Sequence, residues 1–407
     1  MAQNTVLGLD IGSANIKAIV AEARGDKMKV IAGFTRVSSG LRRGSVVEMD
    51  EVCKSVAEVL NEVKVISRSS VKNIFLNIGS VDVKSQISRG IVAVARANSE
   101  IHEDDIERVV KASQAINIPQ NRTILHTITK EYVVDGVNDI RDPEGMIGAR
   151  LEVSSMIIDA FAPALKNLQK CVEISGGSIS GLVFNPLAAA RSVLTKNQKE
   201  LGVVLIDIGF GTTSLVIYEE DKILHTAIFP VGAGHITNDL AIALKIPVET
   251  AEKLKLAYGY ALSKEVSSRD TIDLKKIDLT VTGSPSRKFI AEVIESRIQE
   301  IFELVNNELR LIGKSGRLPA GAVLCGGGAK MPGIVDLSRQ ELKLSTQIGL
   351  PQASYFELST NELAEYLELP EWAVPLGLVL CSKDQGRVKS KPSGSLIVKI
   401  FQNLLPE

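Results

Sequence analysis

The 407-residue chain has few of the residues that build disulfide frameworks or metal centres. It contains 4 cysteines (Cys53, Cys171, Cys325 and Cys381) and 4 histidines, and no two cysteines form a C-x-x-C pair. Zinc sites and disulfide scaffolds need such residues at short, regular spacings. The sequence therefore predicts neither, and cysteines this sparse are typical of a protein of the reducing cytosol.

A charge of one sign and a long apolar run are also absent from the sequence. The 47 basic residues nearly balance the 48 acidic ones, which argues against a surface built mainly to bind nucleic acid. No apolar run approaches the roughly 18–20 residues that cross a bilayer, and the amino terminus lacks the basic region and apolar core of a secretion signal. With 45% hydrophobic residues, the composition predicts a globular protein of two or more domains.

A short polar turn between two apolar segments occurs twice in the chain. The first copy joins the segments 5–10 and 16–22, and the second lies within 203–217. Asp207 of the second copy follows Asp10 of the first by 197 residues. Apolar, β-branched segments that flank a glycine-containing turn predict a hairpin. Two such hairpins half a chain apart predict two similar α/β domains that face each other.

Both turns have the composition of a phosphate cradle, because small residues let backbone amides approach phosphate oxygens. The predicted cradle residues are Gly12, Ser13, Ala14 and Asn15 in the first copy and Gly209, Phe210, Gly211, Thr212 and Thr213 in the second. Lys17 can add a point charge to a phosphate. Asp10 and Asp207, at the ends of their strands, are placed to hold Mg²⁺ through its water ligands. One D-x-G turn alone is usually only a turn, but two copies favour a polyphosphate site between the domains.

A third glycine-rich motif follows a predicted strand at 318–325. Gly326, Gly327 and Gly328 form a bend before a helix that starts after Pro332, with Lys330 in the same loop. Glycine backbone can pack flat against a purine, and the amino terminus of a helix favours anions. The motif therefore predicts the nucleoside end of a nucleotide site.

Glu252 and Lys255 are three residues apart in a predicted helix at 248–260, so they share one face of it. Two interpretations follow from that spacing. The pair either points at a ribose and base edge or forms an ordinary surface ion pair, and the sequence leaves both open.

The residues 83–162 change the pattern of the first half. Predicted strands at 87–95, 123–134 and 149–158 surround a predicted helix at 104–116. We interpret this as a small inserted subdomain, with further strands of one sheet as the alternative. In the second half, a long helical stripe of apolar residues follows Ser284, which we expect to be the N-cap.

The end of the chain predicts a linker followed by an amphipathic helix. Residues 383–394 are rich in Lys, Ser, Gly and Pro, and we expect them not to fold. The apolar face predicted for 395–407 comprises Leu396, Ile397, Ile400, Phe401, Leu404 and Leu405. Such a helix after a basic linker favours an interfacial membrane anchor. The alternative is a helix that docks back onto the fold.

These motifs resemble those of the actin-like ATPase superfamily. The Asp10 and Asp207 turns match its two phosphate motifs and 326–328 its adenosine motif. The segment 251–255 resembles its E-x-x-K adenosine helix, and 185–190 and 372–377 resemble its two connecting helices. Within the superfamily, residues 8–17, 194–203 and 229–234 are most similar to the FtsA family of bacterial cell-division proteins. The likeness covers residues 5–382 and resumes at the tail.

The resemblance implies a two-domain α/β actin-like ATPase fold with the nucleotide in the interdomain cleft. A 1C subdomain would replace 1B, and the chain would end in an amphipathic helix. The implied divisions are 1A at 1–82, 163–200 and 359–382, 1C at 83–162, 2A at 201–235 and 301–358, 2B at 236–300, a linker at 383–394 and a membrane-targeting helix at 395–407.

The resemblance also implies ATP and Mg²⁺ as ligands and a role in cell division. The chain would polymerise through 1C and 2B at the inner face of the cytoplasmic membrane and tether the tubulin-like protein FtsZ at the septum, where it would recruit other division proteins. The carboxy-terminal peptide of FtsZ would contact Arg287, Lys288 and Arg297.

One position, in the first connecting helix, departs from the DnaK-type relatives within the superfamily. They carry an acidic residue where this chain has Asn185, and an amide cannot accept a proton from water. Asp207 is then the one candidate base, and we expect an ATP-binding scaffold with slow hydrolysis rather than an enzyme.

Other members of the same superfamily are the alternatives. A small-molecule kinase needs a base for an acceptor hydroxyl, and no separate carboxylate motif supplies one. A chaperone ATPase needs a further domain, whereas 26 residues follow Cys381. An adaptor of the PilM type shares much of the body but does not need the predicted anchor.

Overall fold

The computed structural model describes residues 5–96 and 98–390, with side-chain environments up to Asp384. The second part of the predicted linker, 391–394, and the predicted amphipathic helix at 395–407 lie outside the described residues. Within the part that is described, no helix is both long enough and apolar enough to cross a bilayer.

The first domain is built on a six-stranded sheet that contains the first predicted hairpin. Its strands are β1 (Thr5–Ile11), β2 (Asn15–Arg24), β3 (Lys27–Val37), β6 (Ile74–Ile78), β11 (Ile179–Phe184) and β17 (Phe356–Leu358), in the order β11-β6-β1-β2-β3-β17. A small hairpin of β4 (Leu41–Arg42) and β5 (Ser45–Val46) follows β3. The packed helices are α1 (Met49–Ile66), α3 (Ala162–Ile174), α4 (Asn185–Val193), α10 (Glu365–Glu368) and α11 (Ala373–Ser390).

The second domain repeats this arrangement with five strands. They are β12 (Val203–Ile208), β13 (Thr213–Glu219), β14 (Lys222–Phe229), β15 (Ala322–Cys325) and β16 (Thr346–Ile348), in the order β14-β13-β12-β15-β16. Its helices are α5 (Lys196–Leu201), α6 (Ala233–Leu244), α7 (Val248–Tyr258), α8 (Arg287–Leu311) and α9 (Ile334–Leu342). In both domains the hairpin strands are antiparallel and the first of them pairs in parallel with a later strand, so the predicted internal repeat is confirmed.

The predicted insertion forms a sheet of its own, distinct from the sheets of the two domains. Its elements are β7 (Lys84–Ala93), α2 (Glu103–Ser113), β8 (Arg122–Val134), β9 (Val137–Ile140) and β10 (Arg150–Phe161), with the strand order β7-β10-β8-β9. Ile101, Val109 and Leu151 lie in a small core that belongs to this sheet and its helix. The prediction of an inserted subdomain is therefore confirmed, and the alternative of further strands in the first sheet is wrong.

Two predicted boundaries are wrong. The N-cap of α8 is Ser286, whose hydroxyl accepts a hydrogen bond from the Phe289 amide at 3.2 Å, and not Ser284. A β-bridge between Thr271 and Ser286 keeps the chain extended up to that residue. The predicted unfolded linker at 383–394 is also helical over 383–390, because α11 continues to Ser390.

A salt bridge explains why α11 continues beyond the predicted end of the body. The Asp384 carboxylate accepts two hydrogen bonds from the Arg191 guanidinium of α4, at 2.7 and 3.2 Å. This bidentate pair, 9% exposed on the Asp384 side, ties the helix to the first domain past residue 383. Between Pro375, in the first turn of α11, and Pro392 no proline interrupts the sequence.

The two helices that connect the domains, α4 and α11, cross in direct backbone contact. A Cβ atom added at Gly377 would lie 1.8 Å from the Ala188 carbonyl oxygen, well inside the distance that real contacts allow. Only glycine lets the helices approach this closely.

We expect Gly377→Ala to lower the free energy of unfolding by about 3 kcal/mol or more, because the added methyl group must push two helix backbones apart. The midpoint of thermal unfolding, followed by the fluorescence of Trp372, measures the effect. Trp372 is the one tryptophan of the chain and is buried.

Gly313→Ala is the matched control. Gly313 has a φ of +69° and nothing within 4 Å of an added Cβ, so this substitution costs only the backbone strain of about 1 kcal/mol. Equal midpoints for the two variants would contradict the close helix crossing.

Candidate functional site

A cleft of about 430 Å³ lies between the two domains, at the edge where both hairpin turns meet. It is lined by the predicted site residues Asp10, Gly12, Ser13, Ala14, Asn15, Lys17, Asp207, Gly209, Phe210, Gly211, Thr212, Glu252, Lys255, Gly326, Gly327, Gly328 and Lys330. Residues that are distant in sequence and belong to four separate motifs thus share one cavity.

Thr213 is the one predicted cradle residue that does not line the cleft. It is the first residue of β13, it pairs with Ile208, and its side chain is fully buried. The strand begins one residue earlier than the turn composition suggests. A contact of Thr213 with a ligand stays a prediction.

The two hairpin turns have the same local geometry and face each other. The Gly12 amide donates to the Asn15 carbonyl at 3.1 Å, and the Gly209 amide donates to the Thr212 carbonyl at 2.9 Å. A Cβ added at Gly211 would lie 3.0 Å from the Ser13 hydroxyl of the opposite turn. Glycine therefore keeps the two turns close without filling the space between them.

Two buried aspartates lie at the base of the turns, one from each domain. Burial raises the pKa of Asp10 to about 6, and the positive charge of Lys17 limits that rise. Burial also raises the pKa of Asp207 to about 7, and the negative charge of Asp10 adds to the rise. Two carboxylates that repel each other in a buried cleft are stabilised by a cation between or beside them.

This pair fits Mg²⁺ held through water. Among the described residues, no group of three or more His, Cys, Asp or Glu side chains is arranged to hold a metal directly. Mg²⁺ commonly binds with one or two carboxylates, several waters and the phosphates of a nucleotide. The residues present therefore suit a nucleotide-bound Mg²⁺ better than a metal held by the protein alone.

Two asparagines behind the first turn form a hydrogen-bonded pair in the wall of the cleft. The Asn77 side-chain oxygen accepts from the Ile11 amide at 2.7 Å, and its nitrogen donates to the Asn185 oxygen at 3.2 Å. Asn77 was missed by the sequence analysis. The signal available for it was a polar residue within the apolar strand Ile74–Ile78.

The pair of Glu252 and Lys255 is part of the cleft wall and not of the outer surface. The Lys255 ammonium lies 2.7 Å from the Glu252 carboxylate and donates to the Thr237 hydroxyl at 2.8 Å. Only 5% of the Lys255 side chain is exposed, and burial lowers the pKa of Lys255 while the Glu252 charge opposes that shift. Of the two interpretations of this spacing, the surface ion pair is wrong.

The glycine bend after β15 packs against the second aspartate. Gly326 has a φ of +82°, and a Cβ added there would lie 2.3 Å from the Asp207 carboxylate. Glycine is required here both for the left-handed backbone and for the close approach. The bend therefore joins the predicted nucleoside end of the cleft to its acidic base.

The basic residues predicted to contact a partner peptide lie on α8, outside the cleft. Arg297 already binds Asp239 through two nitrogens, at 2.6 and 2.9 Å, and also contacts Glu300. Arg287 donates to the Tyr258 carbonyl at 3.3 Å, and Lys288, the next residue of α8, is partly exposed. Arg297 is thus engaged within the chain, whereas Arg287 and Lys288 have no ion pair among the described residues.

Comparisons with known families agree with the insertion and with the second domain. A family model described as "Cell division protein FtsA" matches residues 204–377. A second model, described as "SHS2 domain inserted in FTSA", matches residues 81–159, which is the region of the separate four-stranded sheet.

Full-length relatives are similar over most of the chain. It is 36% identical to cell division protein FtsA of Pseudomonas aeruginosa over 92% of this chain and 88% of that protein. It is 34% identical to the Bacillus subtilis protein of the same name over 85% and 78%, and 30% identical to that of Escherichia coli over 93% and 90%.

Solved structures confirm the actin-like two-domain fold. The PilM–PilN type IV pilus biogenesis complex superimposes with a TM-score of 0.66 at 18% identity, over 92% of this chain and 97% of that one. MreB5 of Spiroplasma citri bound to AMPPNP superimposes with a TM-score of 0.54 at 16% identity, over 96% and 99%. At these identities the structures establish the fold, and the closer sequence relatives establish the family. The chain belongs to the FtsA family of bacterial cell-division proteins.

Proposed function

We propose that this chain is an ATP-binding scaffold of cell division that assembles on the inner face of the cytoplasmic membrane and tethers FtsZ there. The observation that carries the proposal is the interdomain cleft with two facing glycine turns and an aspartate at the base of each. A structure of the same fold, MreB5, was solved with AMPPNP, which supports an adenine nucleotide as the ligand.

ATP would bind with its phosphates between the two turns and its nucleoside beside 326–328. Backbone amides and Lys17 would contact the phosphates, and Asp10 and Asp207 would hold the waters of Mg²⁺. Glu252 and Lys255 would lie beside the ribose. The bound metal would neutralise phosphate charge and offset the repulsion between the two carboxylates.

Slow hydrolysis follows from the groups that surround this phosphate site. Asn185 lies in the cleft wall beside the first turn, and its amide can orient a water but cannot take a proton from it. Asp207 remains the candidate base, but its proposed role beside the metal competes with a role as base. Bound ATP would therefore be hydrolysed slowly, as suits a scaffold rather than an enzyme.

Membrane association would come from the amphipathic pattern of residues 395–407. Half-burying its six apolar side chains yields about 5–8 kcal/mol, from about 1.5–3 for each fully buried side chain. Folding and immobilising the helix consume much of this free energy. A single tail would bind weakly, and assembly of many chains would make the attachment firm through effective concentration.

The many chains would assemble by self-association through 1C and 2B. The insertion presents β7 as an edge strand of its sheet, and Ile87 and Ile91 on this strand are about half exposed, at 51% and 52%. Edge strands with apolar side chains are ready to pair with another chain. This supports the insertion as one of the contact surfaces between copies, and other division proteins would join the assembled scaffold.

The alternatives within the fold are less well supported. The likeness to the PilM–PilN complex is one of fold at 18% identity, whereas relatives at 30–36% identity are division proteins. A PilM-type adaptor also does not need an anchor. A small-molecule kinase would need a carboxylate for an acceptor hydroxyl in addition to the two aspartates beside the metal. Among the described residues, the further carboxylates of the cleft are those of Glu252 and Glu371, both in ion pairs.

Membrane attachment is tested by co-sedimentation of the full chain with vesicles of anionic phospholipid, with and without Mg-ATP. We expect pelleting that increases with ATP and is lost both in a version that ends at Ser393 and in Ile400→Glu, which places a charge on the apolar face. Gln402→Glu adds the same charge to the polar face and serves as the control. Equal pelleting of all four proteins would contradict the anchor.

The aspartate pair predicts a pH dependence of nucleotide binding. Because burial raises the pKa of Asp207 to about 7 and that of Asp10 to about 6, protons compete with Mg²⁺ as the pH falls from 8 to 6. We expect the affinity for Mg-ATP, measured by calorimetric titration, to fall over that range.

Asp207→Asn should bind Mg-ATP more weakly at pH 8 and lose much of the pH dependence. Asp336→Asn, which removes a carboxylate of α9 that pairs with Arg339 outside the cleft, is the control. A flat pH profile in the unsubstituted protein would argue against the carboxylates as the metal site.

The FtsZ contact predicts that Arg287→Glu weakens binding of the carboxy-terminal peptide of FtsZ by about tenfold at low salt, because an acidic peptide loses a charge-assisted contact. Fluorescence anisotropy of the labelled peptide measures this. Arg310→Glu, at the other end of α8, is the control. Binding that is unchanged in both variants would remove Arg287 from the proposed interface.

A further inference from the structure

One ion pair joins the two domains at the nucleoside end of the cleft. The Lys330 ammonium, from the short helical turn Gly327–Lys330 of the second domain, lies 2.7 Å from the Glu371 carboxylate oxygen Oε1. Glu371 belongs to the turn Pro370–Trp372, which leads into α11 of the first domain. Both side chains line the cleft.

A backbone hydrogen bond crosses the same boundary. The Gly326 amide donates to the Pro370 carbonyl at 3.1 Å, where Pro370 directly precedes Glu371 and Gly326 lies four residues before Lys330. The glycine motif of one domain is thus fastened to the start of the returning helix of the other by two neighbouring contacts. We call Lys330, Glu371 and this hydrogen bond the clasp.

The burial of Glu371 makes its ion pair more than a surface contact. Its side chain is only 15% exposed, whereas that of Lys330 is 50% exposed. The second carboxylate oxygen, Oε2, is buried and has no hydrogen-bond partner within the described residues. The Lys330 ammonium therefore hydrogen-bonds to the Glu371 carboxylate and balances its negative charge. Because Glu371 is largely buried, this ion pair is stronger than one in open water.

The clasp differs from the other ion pair of the cleft. Glu252 and Lys255 both belong to α7, so their contact survives when the two domains move apart. Lys330 and Glu371 belong to different domains, and separation of the domains must break their contact. At the phosphate end, no ion pair joins the two turns among the described residues. The turns approach each other at Gly211 and Ser13.

We propose that Glu371 is a positioning residue that holds Lys330 across the cleft and so slows the release of bound nucleotide. This inference rests on the proposed binding of ATP. Opening of the nucleoside end requires that the buried Glu371 charge lose its partner, which raises the barrier to release. Entry of nucleotide into an already open cleft meets no such barrier.

The test measures how fast a fluorescent ATP analogue dissociates from the full-length protein with Mg²⁺, by stopped-flow displacement with excess ATP. We expect Glu371→Gln and Lys330→Met each to increase the dissociation rate constant by about tenfold, the scale of one lost charge-assisted hydrogen bond. The association rate constant should change much less. The double variant should release nucleotide no faster than the faster single variant, because both substitutions remove the same contact.

Lys314→Met is the matched control. Lys314 forms an ion pair of similar length, 2.6 Å, with Glu219, and both residues lie in the second domain away from the cleft. This variant loses an ion pair without loosening the boundary between the domains. Its dissociation rate constant should equal that of the unsubstituted protein.

The outcomes separate this inference from the proposed function. If the unsubstituted protein binds no ATP analogue, the proposed function itself fails. If it binds the analogue but both single variants release it at the unsubstituted rate, or if the effects of the two substitutions multiply in the double variant, the clasp is overturned. A lower thermal midpoint of the single variants without nucleotide, together with an unchanged dissociation rate, would assign the ion pair a purely structural role and equally overturn it.

Discussion

The contact between Gly377 of α11 and the backbone of Ala188 in α4 is the constraint on which one wall of the cleft depends. Both helices begin at the cleft, so the crossing fixes Asn185 at the start of one and Ala373 at the start of the other in its wall. Further along, Arg191 and Asp384 join the same two helices by a buried ion pair. A glycine of the returning segment thus fixes the positions of Asn185 and Ala373 relative to each other in the wall of the cleft.

The cleft combines groups that are unfavourable without a ligand. Burial raises the pKa of both aspartates and the charge of Asp10 adds to the rise at Asp207, two glycine turns leave unfilled space between them, and a carboxylate oxygen of Glu371 lacks a partner among the described residues. Each of these features costs free energy in the isolated chain. A ligand that carries phosphates and a divalent cation would offset the charge of the aspartates and fill the space between the turns. The features that destabilise the cleft without a ligand are therefore the ones that would favour such a ligand.

Motifs local in sequence were predicted well, and contacts between distant segments were not. The repeated hairpins, the glycine bend and the inserted subdomain follow from turn composition and apolar periodicity, which act over a few residues. The N-cap of α8 was predicted at Ser284 instead of Ser286 because strand pairing moved the start of the helix by two residues. Glu371 and the Asn77–Asn185 pair were invisible because their partners lie 41 and 108 residues away. The Arg297 pair with Asp239, 58 residues distant, was missed for the same reason.

The continuation of α11 to Ser390 changes the geometry available to a membrane-bound filament. Six residues of helix beyond Asp384 add about 9 Å of rise, and only the four residues 391–394 separate the helix from the predicted anchor. Four residues span at most about 14 Å when fully extended, whereas the twelve residues of the originally predicted linker would span about 40 Å. If the tail inserts as proposed, the body is kept at a short stand-off from the lipid headgroups. In such an attachment, the direction of one helix would set which face of the body lies nearest the bilayer.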